Sequence, residues 1–312
     1  MLRTRSLAVA AVALVGLAAL LCVGCARQKA PGALPQATPA PQEQVVLDVF
    51  VPCAFADATS EIAEMFQAEH PNIRVNRTIE NVGVLVPRIA NGAKPDVFMS
   101  IGDREVAGLT EKGLVDAQRD FCFTSIVLVV PQANPGKVAT LKDLAKPAVK
   151  TIAVAEDELS VGYYSRKILT DNGVWDSVKG KLVRPKFPVE LLKMAREGKV
   201  QASLAYAACF RAEGGEKKQM AAQIKLISDF LADYCLTIPC TAAVIKGAKH
   251  PQEAQAFLDF LTKPECQELF AAGGFMKLDD PKCFVTPGEK PAAGGESDQP
   301  SGTGEPAKPQ GQ

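Results

Sequence analysis

Cysteine carries the most latent chemistry in this chain, with nine copies in 312 residues. A thiolate is a nucleophile and a soft metal ligand, and two thiols in an oxidising compartment can close a disulfide. Spacing selects among these roles. No Cys-x-x-Cys occurs, and beyond Cys22 and Cys25 the nearest pair is Cys235 and Cys240, so spacing gives no support to a metal centre. Seven cysteines follow Cys25, namely Cys53, Cys122, Cys209, Cys235, Cys240, Cys266 and Cys283. Seven is odd, so at least one thiol stays outside any disulfide within the monomer. His70 and His250 each precede a proline at an element boundary, which argues against a Cys/His nucleophilic pair. No Gly-x4-Gly-Lys phosphate loop is present. Asp96 reads as a residue leading into a strand, and Asp279-Asp280 as a turn. These observations leave catalysis without a constellation to rest on: the expectation is a protein that is not an enzyme and has no cofactor. Thirty-five basic residues balance 35 acidic ones, which removes the field a nucleic-acid partner would need.

The ends of the chain assign its compartment. Arg3 and Arg5 precede an apolar run, Leu7 to Val23, broken only by Gly16, which is the pattern of a secretory signal. Gly24-Cys25 follows, and it resembles the lipobox of bacterial lipoproteins, with Cys22 standing where Leu is usual. The reading is a signal peptide over 1–24, lipidation at Cys25 and an exported protein anchored to the membrane by its lipid, facing the periplasm or cell exterior. Residues 25–44 are rich in Pro, Ala and Gln and read as a disordered tether. Residues 286–312 lack aromatic and large aliphatic side chains and read as a disordered tail.

Between these ends the chain alternates strand and helix patterns. The β-branched run from Val45 to Val51 stops at Pro52, as a buried strand does. Asp57 or Thr59 is positioned to cap a helix in which Ile62, Met65 and Phe66 recur at helical spacing. Further strands are expected at 73–78 and 96–101, and helices at 84–90 and 103–112, completing an α/β lobe. A second set starts near Ser125, with strands at 151–155, 202–206 and 224–227 and helices at 160–170 and 189–197. Two closing helices, 252–261 and 265–271, have no lobe of their own and are expected to return to the first.

In order along the chain, Val49-Phe50 with Asp57-Ala58, Ile89-Ala-Asn-Gly-Ala-Lys-Pro-Asp-Val-Phe-Met-Ser100, Leu128-Val-Val-Pro131 and Leu141-Lys-Asp-Leu-Ala-Lys-Pro147 resemble the periplasmic molybdate-binding proteins of ABC importers. So do Leu204-Ala-Tyr-Ala207, Val244-Ile-Lys-Gly247, Ala256-Phe-Leu-Asp-Phe-Leu261 and Gly274-Phe275. The resemblance implies an α/β, two-lobed periplasmic-binding-protein fold of type II, with two crossing hinge strands and a ligand cleft between the lobes. Lobe 1 would comprise 45–121 and 240–285, and lobe 2 would comprise 122–239. It also implies a small solute and an ABC permease as partners, with a monomer expected.

Family members hold a tetrahedral oxyanion with hydroxyls, backbone N–H groups and a tyrosine. Here the matching positions are Ala54 and Val82 where the family has serine, Pro188 where it uses a backbone N–H, and Tyr206 for the tyrosine; Val161-Gly162 lies near a further backbone contact. Proline has no N–H to give. The ligand contacts implied are therefore Cys53, Ala54, Phe55, Val82, Gly83, Val161, Pro188 and Tyr206. Losing three bonds to a charged ligand, at about 1.5–3 kcal/mol each, points away from molybdate towards a softer or less charged solute.

The same topology brings five cysteines to the cleft or its hinge. The readings are disulfides, Cys266 with Cys283 and one hinge pair such as Cys122 with Cys240, soft-metal ligation by Cys53 with Cys209 or a hinge cysteine, or merely buried thiols. Two rival classes remain at this point: a thiol enzyme or redox protein with a reactive Cys53, and a scaffold lipoprotein whose cleft has lost its ligand.

Overall fold

The computed structural model describes residues 43–211, 223–230 and 236–280. The signal at 1–24, nearly all of the tether and the tail at 286–312 lie outside them, as do Cys25, Cys235 and Cys283. Among the described residues, no helix is long and apolar enough to cross a membrane.

Among the described residues, ten strands form two five-stranded sheets. In the first sheet β1 (Val45–Pro52) lies between β2 (Ile73–Glu80) and β3 (Val97–Met99), parallel to both. The far end of β1 is buried on both faces, which is why the run from Val49 is apolar without alternation. Two antiparallel strands complete this sheet: β4 (Val115–Thr124) and β10 (Ile238–Ile245), in the order β2-β1-β3-β10-β4. The second sheet contains β5 (Ile126–Pro131), β6 (Ile152–Ala153), β7 (Leu182–Val183), β8 (Ala202–Tyr206) and β9 (Ile224–Asp229), ordered β7-β6-β8-β5-β9. Only Ser125 separates β4 in one sheet from β5 in the other. Two sheets with their own helices make two lobes, and the chain passes between them beside the paired ends of β4 and β10.

Helices α1 (Ala56–Glu69), α2 (Val82–Ala90) and α3 (Arg104–Glu111) follow β1, β2 and β3. In the second lobe come α4 (Ser160–Asp171), the single turn α5 (Trp175–Val178), α6 (Val189–Arg196) and α7 (Ala207–Arg211). The closing helices, α8 (Pro251–Phe260) and α9 (Pro264–Ala272), pack on β10, β4 and α1 of the first lobe. Asp96 joins three of these segments. Its carboxylate accepts the Asp48 N–H at 2.8 Å and the His250 N–H at 2.9 Å. A residue 1% exposed with both oxygens engaged is a structural tie.

The structure corrects two expectations. The cap of α1 is neither Asp57 nor Thr59: a 3-10 turn, Cys53–Phe55, runs directly into the helix, and Phe55 holds the cap position without a side-chain bond. The Thr59 hydroxyl instead donates back to the Phe55 carbonyl at 2.7 Å. Burial decides this start, because the Phe55 ring stacks on Phe275 at 4.4 Å and meets Phe121 and Phe270 edge-on at 5.1 and 5.7 Å. The second correction concerns sulfur: Cys122 and Cys240 are register partners across β4 and β10, but no disulfide joins them. Cβ atoms of directly opposed strand residues lie about 4.5–5.5 Å apart, whereas a disulfide needs about 3.8 Å. The pairing of Cys266 with Cys283 falls on a residue outside the described ones.

Candidate functional site

A cavity of about 140 Å³ opens between the lobes. Its first wall comes from the carboxyl end of β1 and the turn after it, with Pro52, Cys53 and Ala54, joined by Asn81 and Val82 at the start of α2 and by Ile101 after β3. The second wall comes from Pro188, Val189 and Leu192 of α6, Ala205 and Tyr206 of β8, and Ala208 and Cys209 of α7. Gly273 and Phe275, beyond α9, close it. Carboxyl ends of sheet strands at a lobe boundary are where α/β proteins hold ligands. The lining is overwhelmingly apolar.

Five residues implied by the sequence share this cavity: Cys53, Ala54, Val82, Pro188 and Tyr206. Three do not line it. Phe55 lies behind it in the aromatic cluster, fully buried. Gly83 faces the Phe187 ring and the Lys186 carbonyl across the cleft, each about 3.5 Å from where a Cβ would stand. Val161 is buried, and its N–H donates to the Tyr206 hydroxyl at 3.0 Å. Tyr206 thus uses its oxygen as an acceptor inside the protein. Burial and the neighbouring Glu105 carboxylate hold its pKa well above the ordinary tyrosine value.

Cys53 and Cys209 both reach the cavity. Among the described residues, no group of three or more His, Cys, Asp or Glu side chains is arranged to hold a metal ion. The apolar wall around Cys53 and the Glu80 carboxylate push its thiol pKa up, which keeps it protonated at neutral pH.

Sequence reasoning missed the polar junction behind the cavity. Glu105, on α3 of the first lobe, is 3% exposed and points at the first turn of α4 in the second. The Ser160 N–H donates to its Oε1 at 2.8 Å, and the Ser160 and Ser100 hydroxyls both donate to its Oε2, the latter at 3.2 Å. The Arg104 N–H donates to Ser160 Oγ at 3.1 Å, and the Tyr164 hydroxyl donates to the Asp103 carboxylate at 3.1 Å. Outside this ring the Arg104 guanidinium lies over the Tyr163 ring at 4.6 Å. Burial raises the Glu105 pKa, opposed by the bonds from Ser160. One available signal was Gly102, which has φ +132°. A Cβ there would fall 2.1 Å from Ser160 Oγ, so glycine is what lets the lobes approach so closely.

The Bacillus subtilis lipoprotein YvgL, whose name describes an ABC transporter substrate-binding protein, is 25% identical over 259 residues, covering 82% of this chain and 93% of YvgL. The molybdate-binding protein ModA of Haemophilus influenzae is 22% identical over 246 residues, covering 73% of this chain and 88% of ModA. Among solved structures, the substrate-binding domain of a Clostridium difficile ABC transporter named for molybdenum superposes with a TM-score of 0.55 at 26% identity, covering 76% of this chain and all of that domain. The family model of bacterial extracellular solute-binding proteins matches residues 47–276, which spans both sheets and the cavity between them. The two-lobed α/β architecture, the interlobe cavity and that match agree: the chain belongs to the bacterial extracellular solute-binding protein family, whose members bind solutes and are not enzymes.

Proposed function

We propose that this chain is the lipid-anchored receptor of an ABC importer, which captures a small solute by closing its lobes and presents it to a permease. The small cavity walled by both lobes supports this reading, because a ligand touching both favours the closed state by its differential affinity. The lobe division proposed is 45–121 with 240–285 against 122–239, with Cys25 as the lipidated residue. Cys53, Ala54, Val82, Pro188 and Tyr206 are proposed to contact the solute directly, while Phe55, Gly83 and Val161 shape the site from behind or beside them.

Names among the relatives point to molybdate. The lining points to a less charged solute. An ion taken from water into a cleft needs a hydrogen bond for each lone pair, and Ala54, Val82 and Pro188 offer no side-chain donor. Three missing bonds at about 1.5–3 kcal/mol each correspond to a loss on the order of 10³-fold or more in affinity. A cavity near 150 Å³ lined by aliphatic and aromatic side chains is known to take a benzene-sized guest, which sets the scale of the solute. A thiol enzyme is disfavoured by the raised Cys53 pKa.

Thermal unfolding tests the reading directly, with molybdate, tungstate, sulfate and phosphate in one panel and phenol, benzyl alcohol and dimethyl sulfoxide in another. A solute at 100 times its Kd adds about 2.7 kcal/mol, seen as a rise of several degrees in Tm. A receptor also stimulates ATP hydrolysis by its permease in vesicles. A folded chain that responds to neither panel and stimulates no importer is a scaffold.

A further inference from the structure

The amino terminus of α4 has the makings of an anion site, because its first-turn N–H groups point towards the lobe boundary with the positive end of the helix dipole. Leu159, at the cap position, has no polar side chain to satisfy them. Two of these donors are already taken. The Ser160 N–H goes to the Glu105 carboxylate at 2.8 Å and the Val161 N–H to the Tyr206 hydroxyl at 3.0 Å. Glu105 also receives the Ser160 and Ser100 hydroxyls, so four donors that an incoming anion could have used are spent inside the protein, three of them on one carboxylate.

The carboxylate comes from the opposite lobe, across a junction that Gly102 narrows. It is buried in the assembled pair of lobes with both oxygens bonded, which is the environment an oxyanion ligand requires. On the cavity side the wall is apolar, formed by residues such as Ala54, Val82, Ile101, Pro188 and Leu192. Donors consumed behind the cavity and apolar groups in front of it are independent features with one consequence.

We propose that Glu105 is a built-in anion that fills the amino terminus of α4, so that the cleft refuses tetrahedral oxyanions and takes a small uncharged solute against its apolar wall. This rests on the receptor reading above and names the solute class for it. Glu105 acts on specificity through the donors it occupies, without touching the solute.

The test uses the full chain with its thiols reduced, as wild type, Glu105→Ala and Glu105→Gln, in buffers of matched ionic strength. The Ala variant vacates the space of an acetate ion and frees the Ser160 and Ser100 donors. Acetate or formate at millimolar concentration is expected to raise its Tm by several degrees over chloride, with no such rise in the wild type or in the isosteric Gln variant. If the Ala variant does not fold in chloride, recovery on refolding in acetate is the same result. Acetate without effect on the Ala variant overturns the proposal. So does a rise in wild-type Tm with molybdate or sulfate, which would leave the receptor role standing. If acetate rescues the Ala variant while phenol, benzyl alcohol and the oxyanions all leave the wild type unmoved, the built-in anion holds, and the uncharged-solute assignment fails together with the receptor reading it rests on.

Discussion

At the scale of single residues, the site is defined by what its polar atoms are already doing. Tyr206 is the clearest case. Its hydroxyl accepts the buried Val161 N–H, so Tyr206→Phe should leave that donor unsatisfied and cost about 1–3 kcal/mol of stability, measured as a lower urea midpoint with unchanged m-value. An unchanged midpoint would mean the bond contributes nothing. Cys53 makes a second test, because it is exposed yet its thiol pKa is raised by its apolar surroundings and by Glu80. Alkylation by iodoacetamide at pH 7.5 should therefore be slower than that of free cysteine, and Glu80→Gln should speed it. A rate above that of free cysteine would revive the thiol-enzyme reading. The residue scale is also where the sequence was least legible. Ala54, Val82 and Pro188 could be placed in the cavity because they stand beside recognisable segments, whereas Glu105 looks like an ordinary exposed helix residue until the second lobe is folded against it. No local pattern encodes a contact between residues 55 positions apart.

Elements were more legible, because strand and helix patterns are local. The buried runs of β1, β5 and β8 follow from short apolar, β-branched stretches, and α1, α4 and α6 from apolar residues at helical spacing. The start of α1 did not, since a preference for Asp or Thr at a cap is worth about 1 kcal/mol, while burying Phe55 among three aromatic rings is worth more: truncating a buried Phe costs about 3–5 kcal/mol. Tertiary packing overrode the local signal. The amino terminus of α4 yields a prediction of its own. A Cβ on Gly162 would stand 1.9 Å from the Glu156 carbonyl oxygen, a backbone atom that cannot swing aside. Gly162→Ala should therefore displace the turn that presents Ser160 and Val161, lowering Tm by several degrees or more. A variant as stable as wild type would show that this turn is not held where the structure has it.

For the whole molecule, the chain passes twice between the two sheets, and the proposed receptor role takes that connection as the means of closing on a solute and the cavity as the place. The lobes here meet through Glu105, Ser160, Asp103 and Tyr164 as well as through the cavity walls. Under the proposed receptor role, a ligand is one of several contacts that favour closure, and an apolar wall would set its energetic share. The resemblance in the sequence reached the architecture because segments such as Ile89 to Ser100 and Leu204 to Ala207 fix the sheet ends. It could not reach the solute, because solute choice depends on which donors remain unspent after the lobes come together. Isothermal titration of molybdate into the reduced wild-type chain examines that point most directly. No saturable heat is expected at millimolar molybdate; a saturable one-to-one isotherm with a micromolar or tighter Kd would mean that the cleft keeps an oxyanion site.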